Sequence, residues 1–503
     1  MRDPFIDPFC KQEDLGLAIP ESPYAVSVCL PTWDDVIGYE EDDPRVVDSL
    51  ECGYPRFVPH PFVAELFLAA RDEFAKKQEV ALVFPSLAAA WRCAEYVKKR
   101  MGGSSRLESY GWGNLTVILL EEEAYEAAWK YWQHSGEIVS SRLAESALTD
   151  SPVDDEVLEA GIKARQGVKE RIASFYEGVS GEDVFLFSSG MGAVSAVHRC
   201  VTEDNDAPTI QIDFPYLDSF KVQEQFGAVV DFSITNSGGV TETEAWLKEQ
   251  GGREKGSAAA LFSEIPSNPL LRSPDLRRLS ELLRALEIPL VVDDTVATSV
   301  NVDAFRYADI ITTSLTKTFS GAGDVAGGAV ILGPGSAQAE GIRERMAYQE
   351  SASPMFERDA IVLERNSRHF EERVRATNEI AEEVFAFVSG HPKVAKCYFP
   401  SQQTQEFYEQ VRRKDGGYGA LFSFELIGGE SVAKAFYNNL DVSKGPSLGT
   451  DFTLACPYTL LAHYGELDWA AARGAKRDLL RVWVGLEDPE EIIERFDRAF
   501  EAI

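Results

Sequence analysis

Between residues 183 and 332 the chain repeats one pattern: a short apolar run, a break rich in glycine or polar residues, then an amphipathic helix. Short runs that are apolar without alternation are strands buried on both faces. The helices between them must cross over, so the pattern predicts a largely parallel sheet covered on both sides. Strands are expected at 184–187, 209–212, 228–232, 258–263, 289–293, 309–313 and 326–332. The clearest helix is 274–286, where Ser273 can cap, Pro274 occupies the first turn, and Leu276, Leu279, Leu282, Leu283 and Leu286 make one apolar face. In such a sheet a ligand is expected at the carboxyl ends of the strands.

Four of those ends carry groups of one chemical kind. Ser314-Leu315-Thr316-Lys317-Thr318 follows the 309–313 strand, and a lysine there can form a Schiff base with an aldehyde cofactor while hydroxyls and amides receive its phosphate. Asp293 closes the apolar Val291-Val292 run and can keep a pyridine nitrogen protonated. Ser188-Ser189-Gly190-Met191-Gly192 leaves a strand and opens a helix, so its amides form an anion cup. Tyr216, at the rim, can stack on a planar ring, and Asn268, between two prolines, can donate to a phenolic oxygen. Taken singly, each has a bland reading as loop lysine, strand-end cap or rim aromatic. Their coincidence at one sheet edge is far more specific than any one match.

Together these residues resemble the Cys/Met-metabolism family of pyridoxal-phosphate enzymes, which includes cystathionine γ-synthase, the cystathionine lyases and methionine γ-lyase. The resemblance implies the type I, aspartate-aminotransferase-like α/β fold, a mostly parallel sheet flanked by helices with a smaller α+β domain at the carboxyl end. It makes Lys317 the Schiff-base lysine and Tyr216 the stacking tyrosine that assists proton movements. Ser314, Thr316, Gly190 and Met191 surround the phosphate of pyridoxal 5'-phosphate, and Asp293 faces the pyridinium. Arg481, in Leu480-Arg481-Val482-Trp483, is similar to the arginine that clamps a substrate α-carboxylate, and Ser447 lies in a loop like the one lining that pocket. Tyr54 and Arg56 in Gly53-Tyr54-Pro55-Arg56-Phe57 look like the tyrosine-x-arginine pair that relatives extend to a neighbouring subunit's phosphate, implying a homodimer, paired into a homotetramer. Between Arg56 and Ser189 the chain is longer than in typical members, by an insertion that resembles the fungal cystathionine γ-synthase branch.

The expected division is an arm at 1–61, an inserted α/β subdomain at 62–165, a large cofactor-binding domain at 166–345 and an α+β domain at 346–503. Lysine and arginine number 49 against 82 acidic residues, a net charge of −33, which disfavours nucleic acid as a partner. No stretch is apolar enough to span a bilayer and the amino terminus has no signal core, so a soluble, cytoplasmic protein is expected. Seven scattered cysteines without a CxxC pair, and six dispersed histidines, argue against a disulfide framework and a metal site.

By the same resemblance the expected activity is γ-substitution on an O-acyl-L-homoserine, most simply the O-acetyl ester, with cysteine as nucleophile and cystathionine as product. Three departures from the common pattern bear on it: Leu217-Asp218-Ser219 where Gly-Gly-Thr is common, Asp294 where Asn is common, and Trp483 where Ser is common. The bulk of Trp483 and the altered 217–219 loop suit a reshaped pocket. A carbon or amine nucleophile, or elimination by a lyase, therefore stays open.

Overall fold

The computed structural model describes residues 2–111, 114–234, 237–250 and 257–503. Met1 of the expected arm, 112–113 of the expected insertion, and 235–236 and 251–256 of the expected large domain lie outside the described residues.

The central sheet has seven strands: β1 (Val184–Phe187), β2 (Thr209–Ile212), β3 (Val229–Phe232), β4 (Leu261–Glu264), β5 (Leu290–Asp293), β6 (Ile310–Ser314) and β7 (Gly328–Leu332). They lie in the order β1-β7-β6-β5-β4-β2-β3. Strands β3, β2, β4, β5 and β6 run parallel, and β7 runs antiparallel between β6 and β1. The residues of β1, β2, β4 and β7 are buried throughout, as continuous apolar runs predict. The Leu276–Arg284 helix buries Leu276, Leu279 and Leu283 as expected, but its cap is Asp275, whose carboxylate accepts from the Arg278 amide at 3.2 Å. Ser273 instead gives its own amide to the Thr404 hydroxyl, and Pro274 stands outside the helix.

The carboxyl-terminal domain is a five-stranded sheet ordered Val394–Tyr398, Leu421–Leu426, Leu480–Trp483, Leu454–Pro457, Ser443–Lys444, backed by the Phe370–Gly390 and Pro489–Glu501 helices. The inserted segment has a core of its own. A three-stranded antiparallel sheet, with Thr116–Glu121 between Glu79–Phe84 and Arg106–Ser109, packs with the Pro61–Phe74, Leu87–Met101 and Tyr125–Ser135 helices around Leu66, Leu82, Ile118 and Trp132. The next long helix, Asp155–Ala173, crosses the expected boundary at 165. Its Ala164, Val168 and Ile172 are buried with the central sheet, so it belongs to the large domain's packing.

The arm was expected to leave its own chain; instead it lies on it. A short hairpin, Ala18–Ile19 with Ser27–Val28, and the Trp33–Glu40 helix pack on the carboxyl-terminal sheet, burying Ile19, Val28, Leu30, Trp33 and Val36 in the core that holds Phe422, Phe436 and Trp483. Polar contacts fix the register: the Tyr437 hydroxyl donates to the Leu30 carbonyl at 2.8 Å, the Lys444 ammonium to the Pro31 carbonyl at 3.0 Å, and the Trp33 amide to Asn438 Oδ1 at 2.9 Å. This burial supplies what a proline-rich acidic segment lacks by itself. Trp33→Ala should cost about 3–5 kcal/mol. Limited proteolysis should then cut first within the arm; an arm no more cleavable than in wild type would show that Trp33 does not hold it.

Candidate active site

One cavity opens at the carboxyl edge of the central sheet, and eleven of the twelve residues singled out in the sequence line it: Tyr54, Arg56, Gly190, Met191, Tyr216, Asn268, Asp293, Ser314, Thr316, Lys317 and Arg481. The twelfth, Ser447, touches the site through its hydroxyl, which accepts from Lys317 Nζ at 3.1 Å.

Lys317 sits in the single wide turn Leu315–Phe319 that follows β6, with its backbone at φ −84° and ψ −135°, outside helical values. The side chain is 8% exposed, and its Nζ is 4.7 Å from the centre of the Tyr54 ring. Burial is the main cause that lowers its pKa, with Arg481 and Arg56 adding to it. Against the rise that burial would cause, Lys317 and Arg56 bring the Tyr54 phenol down to about 8. Burial keeps Tyr216 well above the ordinary phenol value. Of the two tyrosines, Tyr54 is therefore the readier to give up a proton beside the lysine, a part the sequence assigned to Tyr216.

The anion cup is the amino end of the Gly190–Thr202 helix, where Ser189 caps by accepting from the Gly192 amide at 2.9 Å. Gly190 is required by space, since a β-carbon there would lie 2.8 Å from the Ser314 β-carbon. Ser314 donates its amide to the Thr295 hydroxyl at 2.8 Å, which leaves its side chain against the helix start. The Thr316 hydroxyl is shared with the Gly327 peptide, accepting from its amide at 3.0 Å, and so ties the lysine turn to the approach of β7.

Asp293 faces the cavity from the end of β5, its carboxylate accepting from the Thr295 amide at 2.9 Å and the Thr312 hydroxyl at 3.3 Å. Burial raises its pKa, and raises that of neighbouring Glu264 further because Asp293 adds like charge. A cation between sheet and cavity would relieve both. Arg481, on the Leu480–Trp483 strand, donates to Asn268 Oδ1 at 3.2 Å and the Ser447 carbonyl at 2.9 Å, with its guanidinium 4.7 Å from the Tyr458 ring centre. No ion pair among the described residues includes it, so a buried cation faces the cavity without an anion. Tyr458 had no signal in the sequence, because only the pairing of its strand with that of Arg481 brings it there. Among the described residues no cluster of histidine, cysteine and carboxylate side chains could hold a metal ion.

These groups fit pyridoxal phosphate: an amine of lowered pKa, an anion cup at a helix start, a carboxylate raised by burial and awaiting a cation, and an aromatic ring at the rim. Comparison with known proteins agrees. Residues 160–501 match the family described as Cys/Met metabolism PLP-dependent enzyme, and 62–140 match the fungal trans-sulfuration enzyme N-terminal domain. The chain belongs to the Cys/Met-metabolism family of pyridoxal-phosphate-dependent enzymes. Cystathionine gamma-synthase of Saccharomyces cerevisiae is 32% identical, the match covering 96% of this chain and 98% of that protein. L-2-amino-4-chloropent-4-enoate dechlorinase/desaturase of Streptantibioticus cattleyicolor is 31% identical over 96% of this chain and 97% of its own length. Among solved structures, cystathionine gamma synthase from Xanthomonas oryzae pv. oryzae in complex with cystathionine superposes with a TM-score of 0.59 at 25% identity, covering 69% of this chain and 88% of that one. Pyridoxal phosphate is the cofactor, and the fold is type I as expected.

Two departures from the family pattern receive structural reasons. Trp483 was expected to reshape the pocket, but it does not line the cavity: it is buried against the carboxyl-terminal core, donating Nε1–H to the Thr450 carbonyl at 2.7 Å. Leu217 and Ser219 do line it. Asp294 turns away from the cavity and accepts from the Tyr176 hydroxyl at 2.8 Å, and burial raises its carboxyl to about 7. A carboxyl raised on folding holds its proton more tightly in the folded state, so its contribution to stability falls as pH rises from about 4 towards 7. Asp294→Asn keeps an acceptor for Tyr176 and removes that loss. In cofactor-free protein the variant's melting temperature should exceed wild type by more at pH 8 than at pH 5; an equal difference at both would exclude the group as a stability determinant.

Proposed function

We propose that the chain catalyses γ-replacement on an O-acyl-L-homoserine, with the O-acetyl ester as the preferred donor and cysteine as the nucleophile, releasing acetate and cystathionine. The observation that carries this reading is Arg481, a buried cation without an ionic partner among the described residues, facing the same cavity as the amine of Lys317. An amino acid bound with its α-carboxylate on that guanidinium has its α-carbon brought towards the lysine. The full-length similarity to cystathionine gamma-synthase of S. cerevisiae supports it.

When bound, pyridoxal phosphate supplies an electron sink conjugated to the substrate's α-carbon. Arg481 holds the carboxylate, with Asn268 and the 446–447 carbonyls fixing the fork. Lys317 Nζ, of lowered pKa, takes the α-proton and then a β-proton, which lets the γ-ester leave as acetate. Tyr54, with a phenol brought down to about 8, lies beside Nζ and takes part in returning protons after the thiolate adds at the γ-carbon. The wall formed by Leu217 and Ser219 meets whatever adds there.

A second reading, elimination in place of replacement, is favoured by the similarity to the dechlorinase/desaturase of S. cattleyicolor. Replacement by a carbon or amine nucleophile uses the same first half. Mass spectrometry of a reaction with O-acetyl-L-homoserine and L-cysteine separates them. Cystathionine as the dominant product is the expected outcome; 2-oxobutyrate with or without cysteine would replace this reading by elimination, and untouched ester would remove the donor from it.

Lys317→Ala should lower turnover at least about 1000-fold, and Arg481→Ala should raise the KM for the ester roughly 100-fold. The Arg481 variant should retain the visible absorption of lysine-bound cofactor, which the Lys317 variant lacks. Appreciable turnover in Lys317→Ala, or an unchanged KM in Arg481→Ala, would overturn the respective assignment.

A further inference from the structure

Three segments far apart in sequence meet at the amino end of the Gly190–Thr202 helix. From the arm comes Arg56, 4% exposed, which donates to the Gln133 carbonyl at 3.1 Å and the Tyr216 hydroxyl at 2.6 Å and pairs with the carboxylate of Asp218. From the insertion comes His134, whose Nδ1 lies 2.9 Å from the other oxygen of that carboxylate. Asp218 is wholly buried, and the Arg56 charge together with His134 keeps its pKa below the ordinary range in spite of burial.

The insertion's backbone is also seated on the anion cup. The Ser189 hydroxyl donates to the Gly136 carbonyl at 2.7 Å. Gly136 has φ +65°, and a β-carbon on it would stand 2.5 Å from the Gly192 amide nitrogen and 2.6 Å from Ser189 Oγ, an approach only glycine permits. Farther along the same face, the Tyr96 hydroxyl donates to Gln225 at 3.0 Å.

These contacts bind Arg56 to its own chain. The Pro61–Phe74 helix begins soon after it, and Val63 and Leu66 of that helix are buried in the insertion's core. Arg56 therefore cannot serve another copy unless the insertion goes with it, leaving Asp218 as a buried, unpaired anion.

We propose that one chain builds its whole site: Asp218 and His134 are positioning residues that fix Arg56 at the cofactor's phosphate in cis, and the inserted subdomain takes the place a neighbouring copy would fill. The proposal rests on the pyridoxal-phosphate reading of the cavity. It accounts for both the insertion and the aspartate at 218, which departs from the common Gly-Gly-Thr.

The test is complementation between two defective chains. Lys317→Ala with one affinity tag and Arg56→Ala with another are co-produced, and material carrying both tags is titrated with pyridoxal phosphate at a concentration that fills wild type but not Arg56→Ala. No visible absorption of lysine-bound cofactor beyond that of the separate variants is expected. In a mixed dimer with shared sites, one site of the two would hold both Lys317 and Arg56, and absorption near half that of wild type would overturn the proposal. If no doubly tagged species forms and monomeric wild type holds lysine-bound cofactor, the proposal stands. Wild type without such absorption would instead overturn the cofactor reading beneath it. Should Arg56→Ala fail to fold, Arg56→Lys, which keeps the charge and loses the fork, takes its place.

For Asp218, the variant Asp218→Asn should weaken pyridoxal phosphate about tenfold and leave pyridoxal, which lacks the phosphate, unchanged. Equal weakening of both would make Asp218 structural only and overturn its positioning role.

Discussion

The site depends on one constraint of the backbone: five strands that run parallel deliver their carboxyl ends to a single edge. Because β2, β4, β5 and β6 are neighbours in register, Tyr216, Asn268, Asp293 and Lys317 arrive there from separate loops without any loop having to be long. The antiparallel β7 completes the arrangement by wedging between β6 and β1, so that the lysine turn and the anion cup face each other. Gly328 makes that wedge feasible, since a β-carbon on it would lie 2.2 Å from the Ser189 carbonyl oxygen. The cup, the lysine and the carboxylate are thus held by the sheet, while the arm, the insertion and the carboxyl-terminal domain only close the cavity around them.

Three cationic side chains share this poorly solvated space, and each is accommodated by different means. Arg56 has a full counter-ion in Asp218. Arg481 has carbonyl oxygens, an amide oxygen and an aromatic face, which satisfy its donors without cancelling its charge. Lys317 has neither, and its pKa falls instead. The differences match the tasks: a guanidinium that must be fixed is paired, one that must receive a carboxylate stays unpaired, and an amine that must act as a nucleophile and base sheds its proton readily.

The central sheet and the residues at its strand ends were legible in the sequence because both signals are local. Uninterrupted apolar runs mark buried parallel strands, and chemistry-bearing residues sit within a few positions of each run's end. What was not legible depends on contacts distant in sequence. Nothing local to Trp33 or Ile19 says which sheet the arm will cover. Tyr458 reaches Arg481 only through strand pairing, and the role of Asp218 appears only when residues 56 and 134 are folded against it. Trp483 illustrates the opposite error. Its position next to Arg481 in sequence suggested the pocket, yet the indole finds its partner in the Thr450 carbonyl, away from the cavity.

That placement of Trp483 bears on how the chemistry is directed. The loop carrying Ser447 and Leu448 crosses directly over the lysine turn, and at Gly449, with φ +76°, a β-carbon would lie 2.5 Å from the Thr318 amide nitrogen. Trp483 anchors the far end of this loop at Thr450, while Ser447 Oγ and the Ser447 carbonyl meet Lys317 and Arg481 at the near end. One short segment therefore sets the distance between the base and the carboxylate clamp. Replacement and elimination share their first steps and part only in what reaches the γ-carbon and when protons return. A side chain that fixes the loop can thus influence the outcome without touching substrate, whereas Leu217 and Ser219, which do face the cavity, act on the incoming nucleophile directly.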